Sequence, residues 1–167
     1  KNRALVRFHT GTSEVMARVI LLGCDELEPG SEGYIQLILN SPLAAVAGDR
    51  FVVRSYSPVT TIGGGAIVEP LPAKHKRSAP EVSEELTRLP ATDPGERVAA
   101  VMARAGIGGI TEARLVVRTG IRRPELRRIL ETMFSARKAV LVDRDETRVL
   151  SGPVYDEFLG EIVRELT

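Results

Sequence analysis

The chain has 167 residues, 43% apolar and 27% charged, with a formal net charge of +1, which suits one ordinary globular domain or two small ones. No stretch approaches the ~18 consecutive apolar residues of a membrane span, and a single cysteine, Cys24, with two histidines, His9 and His75, excludes an internal disulfide and is too few ligands for a zinc site. A cytoplasmic protein with no structural metal is expected, and an opening at Lys1 without a leader pattern suits a piece of a longer polypeptide.

Residues 1–70 read as strands. "ALVRFH", "SEVMARVILL", "GYIQLIL", "DRFVVRSYS" and "GAIVEP" are rich in Val, Ile, Leu and Tyr, and Gly, Pro, Asp or Asn stands at many of their borders. Nothing there repeats with a helical period for three turns. "ELEPGSEGY" supplies a turn, "NSPLAAVAGDR" a wider loop, and "SPVTT" brings a proline where a strand pauses. Five or six short strands in so few residues predict a small antiparallel β-barrel or sandwich over 1–72. Cys24, at the end of "VILLGC", reads as a small buried hydrophobe.

Residues 73–92 read as a linker. Prolines at 72, 80 and 90 interrupt the stretch, and "KHKR" is followed by an acidic cluster with room for one short helix near "EVSEEL". The basic quartet is a solvated run by default, with a nucleic-acid phosphate as the alternative contact.

From residue 93 the period becomes helical. Asp93 is placed as an N-cap, Pro94 at the first helical position and Glu96 three residues after the cap; Val98, Val101, Met102 and Ala105 then share a face that ends at Gly106. Thr111 opens a second helix that closes at Gly120, and Leu126, Ile129, Leu130 and Met133 make the stripe of a third. "AVLVDRDETRVL" is a hairpin, and Tyr155, Phe158, Ile162 and Leu166 lie on one face of a last helix. Three helices and a hairpin predict a winged-helix domain over 93–167.

In such modules the third helix enters a nucleic-acid groove, and here it and its flanks carry Arg122, Arg123, Arg127, Arg128, Arg137 and Lys138. Glu125 and Glu131 oppose them, and Glu131 lies four residues after Arg127, where it can neutralise that charge. The hairpin brings Arg144 and Arg148 together with Asp143, Asp145 and Glu146. A solvated helix face accounts for this pattern as well as a nucleic-acid surface does, so a spacer or protein-contact role stands beside direct binding.

"TTIGGGAIVEP" has the glycines of a phosphate loop but lacks its lysine, and Ala66 to Glu69 read as the continuation of an apolar strand instead of a helix. No nucleophile elbow occurs, and His9 in "RFHTGT" reads as a structural or interface residue. No catalytic constellation and no cofactor site are expected in these residues.

Together, "RFHTGTSEV" near the start of the barrel, "GDRFVVRSYSPVTTIGGGAIVEP" at its end and a winged helix downstream resemble the selenocysteine-specific elongation factor (SelB) family over essentially the whole chain. The "RSYSPVTTIGGG" segment carries most of the resemblance, and the barrel is similar to the third domain of translational GTPases. The resemblance implies a parent protein that binds GTP and Mg through an N-terminal domain, delivers selenocysteyl-tRNA to the ribosome, and reads a selenocysteine-insertion hairpin in mRNA with its later winged helices. It implies tRNA-facing positions at Arg7, His9, Gly11, Thr12, Arg54, Tyr56, Thr60, Thr61, Gly63, Gly64 and Gly65. Arginines suit phosphates, hydroxyls and amides suit phosphate or the 2′-hydroxyl, and glycine admits an RNA backbone. A bulge that shapes the barrel is the alternative for the three glycines, and a core aromatic is the alternative for Tyr56. The rival class for the whole chain is a winged-helix DNA-binding regulator whose barrel senses a ligand or mediates dimerisation.

Overall fold

The computed structural model describes residues 2–72 and 93–165. The chain divides into two compact units, Lys1–Arg88 and Leu89–Thr167, and each is described by itself. The expected linker, with "KHKR" and the short helix near "EVSEEL", lies outside the described residues.

The first unit is one antiparallel sheet of β1 (Leu5–Thr10), β2 (Ser13–Leu21), β3 (Ile35–Leu39), β4 (Arg50–Ser55) and β5 (Thr61–Ala66), in the order β3-β2-β1-β4-β5. It curls into a half-barrel whose outer strands, among the described residues, are β3 and β5. Thr10 pairs with Ser13 across a loop of only two residues. That loop needs a positive φ at its first position, and Gly11, at φ 55, provides it. Strand alternation then sorts the side chains: Val6, Phe8, Ala17, Val19, Leu21 and Val53 form the buried core. Thr10 is also buried, and its hydroxyl donates to the Arg50 carbonyl at 2.9 Å.

Two features differ from expectation. The last strand begins at Thr61, so the three glycines are the strand itself, and the sequence from Ile67 to Glu69 lies beyond it. Phe51 accounts for two of the glycines. Gly65 pairs with Phe51, and a Cβ on Gly65 would lie 3.1 Å from the end of its ring; a Cβ on Gly64 would lie 2.7 Å from the Phe51 carbonyl oxygen. The Phe51 ring in turn meets Phe8 at 5.3 Å between centroids. Cys24 is exposed, contrary to the sequence expectation, because β2 ends at Leu21 and the chain turns at Gly23 (φ 81) before reaching it.

The second unit has the winged-helix order. Helix α1 (Pro94–Ala105) is followed by a 3-10 turn (Gly106–Gly108), the short strand β6 (Ile110–Thr111), α2 (Glu112–Thr119), α3 (Arg123–Ser135), the hairpin β7 (Ala139–Asp143) and β8 (Arg148–Ser151), and α4 (Gly152–Glu165). The sheet order is β6-β8-β7. The caps are those the sequence placed: Asp93 accepts from the Glu96 N–H at 2.8 Å, Thr111 caps α2, and Gly120 ends it in the left-handed region at φ 69. Val98, Val101, Met102, Leu115, Leu126, Leu130, Met133 and Val149 are buried. The apolar face of α4 is different: Phe158 is 40% exposed and Ile162 38%, because helical periodicity states which residues align and not what covers them. Leu166 lies outside the described residues. No helix among the described residues is long and apolar enough to cross a membrane.

The glycines separate cleanly in a stability test. Gly64→Ala should destabilise the first unit by about 1–3 kcal/mol through its clash with the Phe51 carbonyl. Gly63→Ala should stay within about 0.5 kcal/mol of wild type, since nothing lies within 4 Å of an added Cβ. Urea denaturation of the two variants measures the difference.

Candidate nucleic-acid interface

The outer face of the half-barrel gathers charge at one place. In β1, Val6, Phe8 and Thr10 point to the core, so Arg7 and His9 point away from it. Register sets their neighbours: Arg7 lies directly opposite Arg54 on β4, and His9 directly opposite Glu14 on β2. Two like charges opposed across a ladder repel. Glu14 offsets them, with Arg7 Nη1 donating to Glu14 Oε1 at 2.6 Å and His9 Nδ1 lying 3.8 Å from Oε2.

The hydrogen bond from Arg7 holds the Glu14 carboxyl below its ordinary range; desolvation opposes this, and the charges of Arg7, His9 and Arg54 reinforce it. The carboxylate pairing therefore supports the fold at pH values above the ordinary glutamate range and is lost as pH falls through the lowered value. The Arg7 guanidinium also lies 5.8 Å from the ring centroid of Tyr56, which is 55% exposed and so is no core aromatic. Arg54 reaches Thr61 Oγ1 at 3.5 Å and, among the described residues, has no ion pair within 4 Å. Arg7 Nε and His9 Nε2 are buried without a hydrogen-bond partner among the described residues.

The structure thus brings together Arg7, His9, Arg54, Tyr56 and Thr61. Gly11 and Thr12 sit at the tip of the β1–β2 hairpin, four or more residues from Arg7 along the strand, or roughly 13 Å. Thr60 belongs to the loop after β4. Its N–H donates to Ser55 Oγ at 3.0 Å and its carbonyl accepts from the Ser55 N–H at 2.8 Å, while Ser55 Oγ also contacts the Pro58 carbonyl. Gly64 and Gly65 are explained by Phe51; Gly63 has open space where a side chain would be. Glu14 was not singled out from the sequence, although strand alternation through the Gly11–Thr12 turn puts it on this face.

In the second unit the cations of α3 divide. Glu112, 7% exposed at the start of α2, accepts from Arg127 Nε at 3.1 Å and lies 3.6 Å from Arg123 Nε. This corrects the expected Arg127–Glu131 neutralisation along the helix: the partner comes from α2, because α3 packs against it and the buried carboxylate draws the guanidinium there. Glu112 raises the Arg127 guanidinium further, chiefly through the hydrogen bond. Arg128 and Lys138 line an open groove with Asp93, Glu96 and Glu125, while Arg122 is exposed at the helix start. On the wing, Arg148 pairs with Glu146 at 2.5 Å and donates to the Gly108 carbonyl at 3.2 Å. No group of three or more His, Cys, Asp or Glu among the described residues is placed to hold a metal ion.

Two measurements follow from these ion pairs. In Arg7→Gln the titration midpoint of Glu14, followed by carboxyl NMR, should rise toward the ordinary glutamate range. Glu112→Gln should lower the thermal unfolding midpoint of the second unit, and Glu131→Gln should leave it nearly unchanged.

Residues 1–74 match the family model of the selenocysteine-specific elongation factor β-barrel domain. The chain is also 36% identical, over 98% of its length, to the selenocysteine-specific elongation factor of Desulfomicrobium baculatum. It spans 27% of the length of that relative. With the half-barrel and the winged-helix order, these matches agree with the resemblance carried by "RSYSPVTTIGGG": residues 1–74 match a selenocysteine-specific elongation factor β-barrel domain, and the chain as a whole is similar to a segment of such a factor.

Proposed function

We propose that the half-barrel is part of a platform for selenocysteyl-tRNA, with Arg7 and Arg54 facing the phosphate backbone and Tyr56 and Thr61 beside them. The observation that carries this reading is the direct opposition of Arg7 and Arg54 on the outer face of the sheet. Two guanidinium groups kept side by side, with only one offset by a carboxylate, suit a polyanion that is read by its backbone. Thr61, paired with Arg54, supplies a hydroxyl at the rim.

The winged-helix unit is the start of the arm directed at the mRNA selenocysteine-insertion hairpin. Its own role is that of a spacer, since Glu112 engages two of the arginines on α3 and acidic side chains accompany Arg128 and Lys138. The same arrangement argues against the DNA-binding regulator, which needs base-reading side chains free on that helix. GTP, Mg and the hydrolytic step belong to another part of the whole protein, which works in the cytoplasm with the ribosome. The residues of this chain bind and orient; none of them is assigned a chemical step.

The test is binding of the full-length protein to selenocysteyl-tRNA with GTP, comparing wild type with Arg7→Ala/Arg54→Ala across a salt series. Loss of two phosphate contacts should weaken binding at least tenfold at physiological salt and flatten the salt slope by about two. Unchanged affinity together with an unchanged slope would overturn the platform.

A further inference from the structure

We infer that Glu14 is a specificity-determining residue of the Arg7–Arg54 site: a built-in anion that occupies the Arg7 guanidinium in the free protein and is displaced from it by a phosphodiester that bridges both arginines. This rests on the RNA-backbone reading above.

Three observations support it. Glu14 is bonded to the guanidinium that a phosphate would need, at 2.6 Å. Both partners are solvent-accessible, with side chains 34% and 45% exposed, so exchange requires no opening of the core. Arg54, directly across the ladder, reaches the Thr61 hydroxyl and has no carboxylate within 4 Å among the described residues.

The consequence is selective. A small anion that meets Arg54 alone gains one contact and leaves Glu14 in place. A small anion that competes for Arg7 must displace a carboxylate already tethered beside it, which acts as a high local concentration of competitor. A polynucleotide can do both, because its successive phosphates and sugar hydroxyls engage Arg54 and the rim while one phosphate takes Arg7. The displaced carboxylate stays on the strand facing His9, close to the incoming phosphate, and weakens its binding. Glu14 therefore lowers affinity for every anion and lowers it most for the simplest ones. It also relieves the repulsion between Arg7 and Arg54 when no ligand is bound.

The experiment uses the whole chain and a fluorescently labelled short RNA duplex, with inorganic phosphate as competitor, in wild type, Glu14→Gln and Arg54→Ala. Glu14→Gln keeps the shape and an acceptor for Arg7 but removes the charge. It should bind the duplex about threefold more tightly at low salt, converging on wild type as salt screens the difference. Phosphate should compete more effectively in Glu14→Gln than in wild type. In wild type, saturating RNA should move the Glu14 carboxyl titration up toward the ordinary glutamate range, because the Arg7 hydrogen bond that lowers it has gone to the phosphate. Weaker or equal binding by Glu14→Gln, with Arg54→Ala still impaired, would overturn the inference and leave the RNA-backbone reading intact. So would a Glu14 titration that RNA does not move. If Arg54→Ala binds as wild type does, the backbone reading falls and this inference falls with it. Matching urea midpoints for the three proteins establish that binding, and not folding, is being compared.

Discussion

The register between β1 and β4 is the constraint on which the first unit depends. Because side chains alternate with a period of two, the pairing of Phe8 with Val53 puts both in the core and forces Arg7 and Arg54 onto the outer face together. A slip of one residue would turn Arg7 and His9 inward and Val6 and Phe8 outward, which the burial of unpaired charge forbids. Phe51 secures the same register from the other side. Its ring meets Phe8 and occupies the space that Gly65 leaves, so the glycine strand serves the placement of the arginines before it serves any ligand.

A pair of arginines held face to face by a hydrophobic core is a standing electrostatic strain, and a carboxylate relieves it. Glu14 does so from the neighbouring strand while remaining accessible to solvent, so the pairing can be exchanged. In the winged-helix unit Glu112 also engages two arginines, but it is buried at the start of α2 and its pairing is part of the packing between helices. One carboxylate sits over a surface and the other under it. The difference lies in the carboxylates: Glu14 is exposed and Glu112 buried, while the Arg123 and Arg127 side chains remain largely exposed.

This division also bears on what each unit can offer a nucleic acid. The half-barrel offers exposed guanidinium, aromatic and hydroxyl groups on a rigid sheet, the arrangement suited to gripping a backbone without reading bases. The winged helix has the architecture of a base reader, yet Glu112 already holds two of its recognition-helix arginines. Possession of a fold does not by itself carry a function with it.

Much of this was legible in the sequence. Alternating Val, Phe and Ile with a Gly-Thr turn specifies hairpins, and Asp93, Thr111 and Gly120 mark helix ends through local hydrogen bonds and backbone preferences that need no tertiary partner. The family resemblance, too, lay in a contiguous segment, and it is through that resemblance that Arg7 and Arg54 were named. Where chain-distant groups meet, the sequence was silent. The need for glycine at 64 and 65 depended on Phe51 across the ladder, the exposure of Cys24 on a turn after β2, and the partner of Arg127 on how α3 packs against α2. Glu14 and Glu112 are ordinary surface glutamates by pattern alone. Local propensity and periodicity belong to neighbours along the chain and can be read from it; which arginine each glutamate holds is decided by register and packing, and these exist only once the chain has folded.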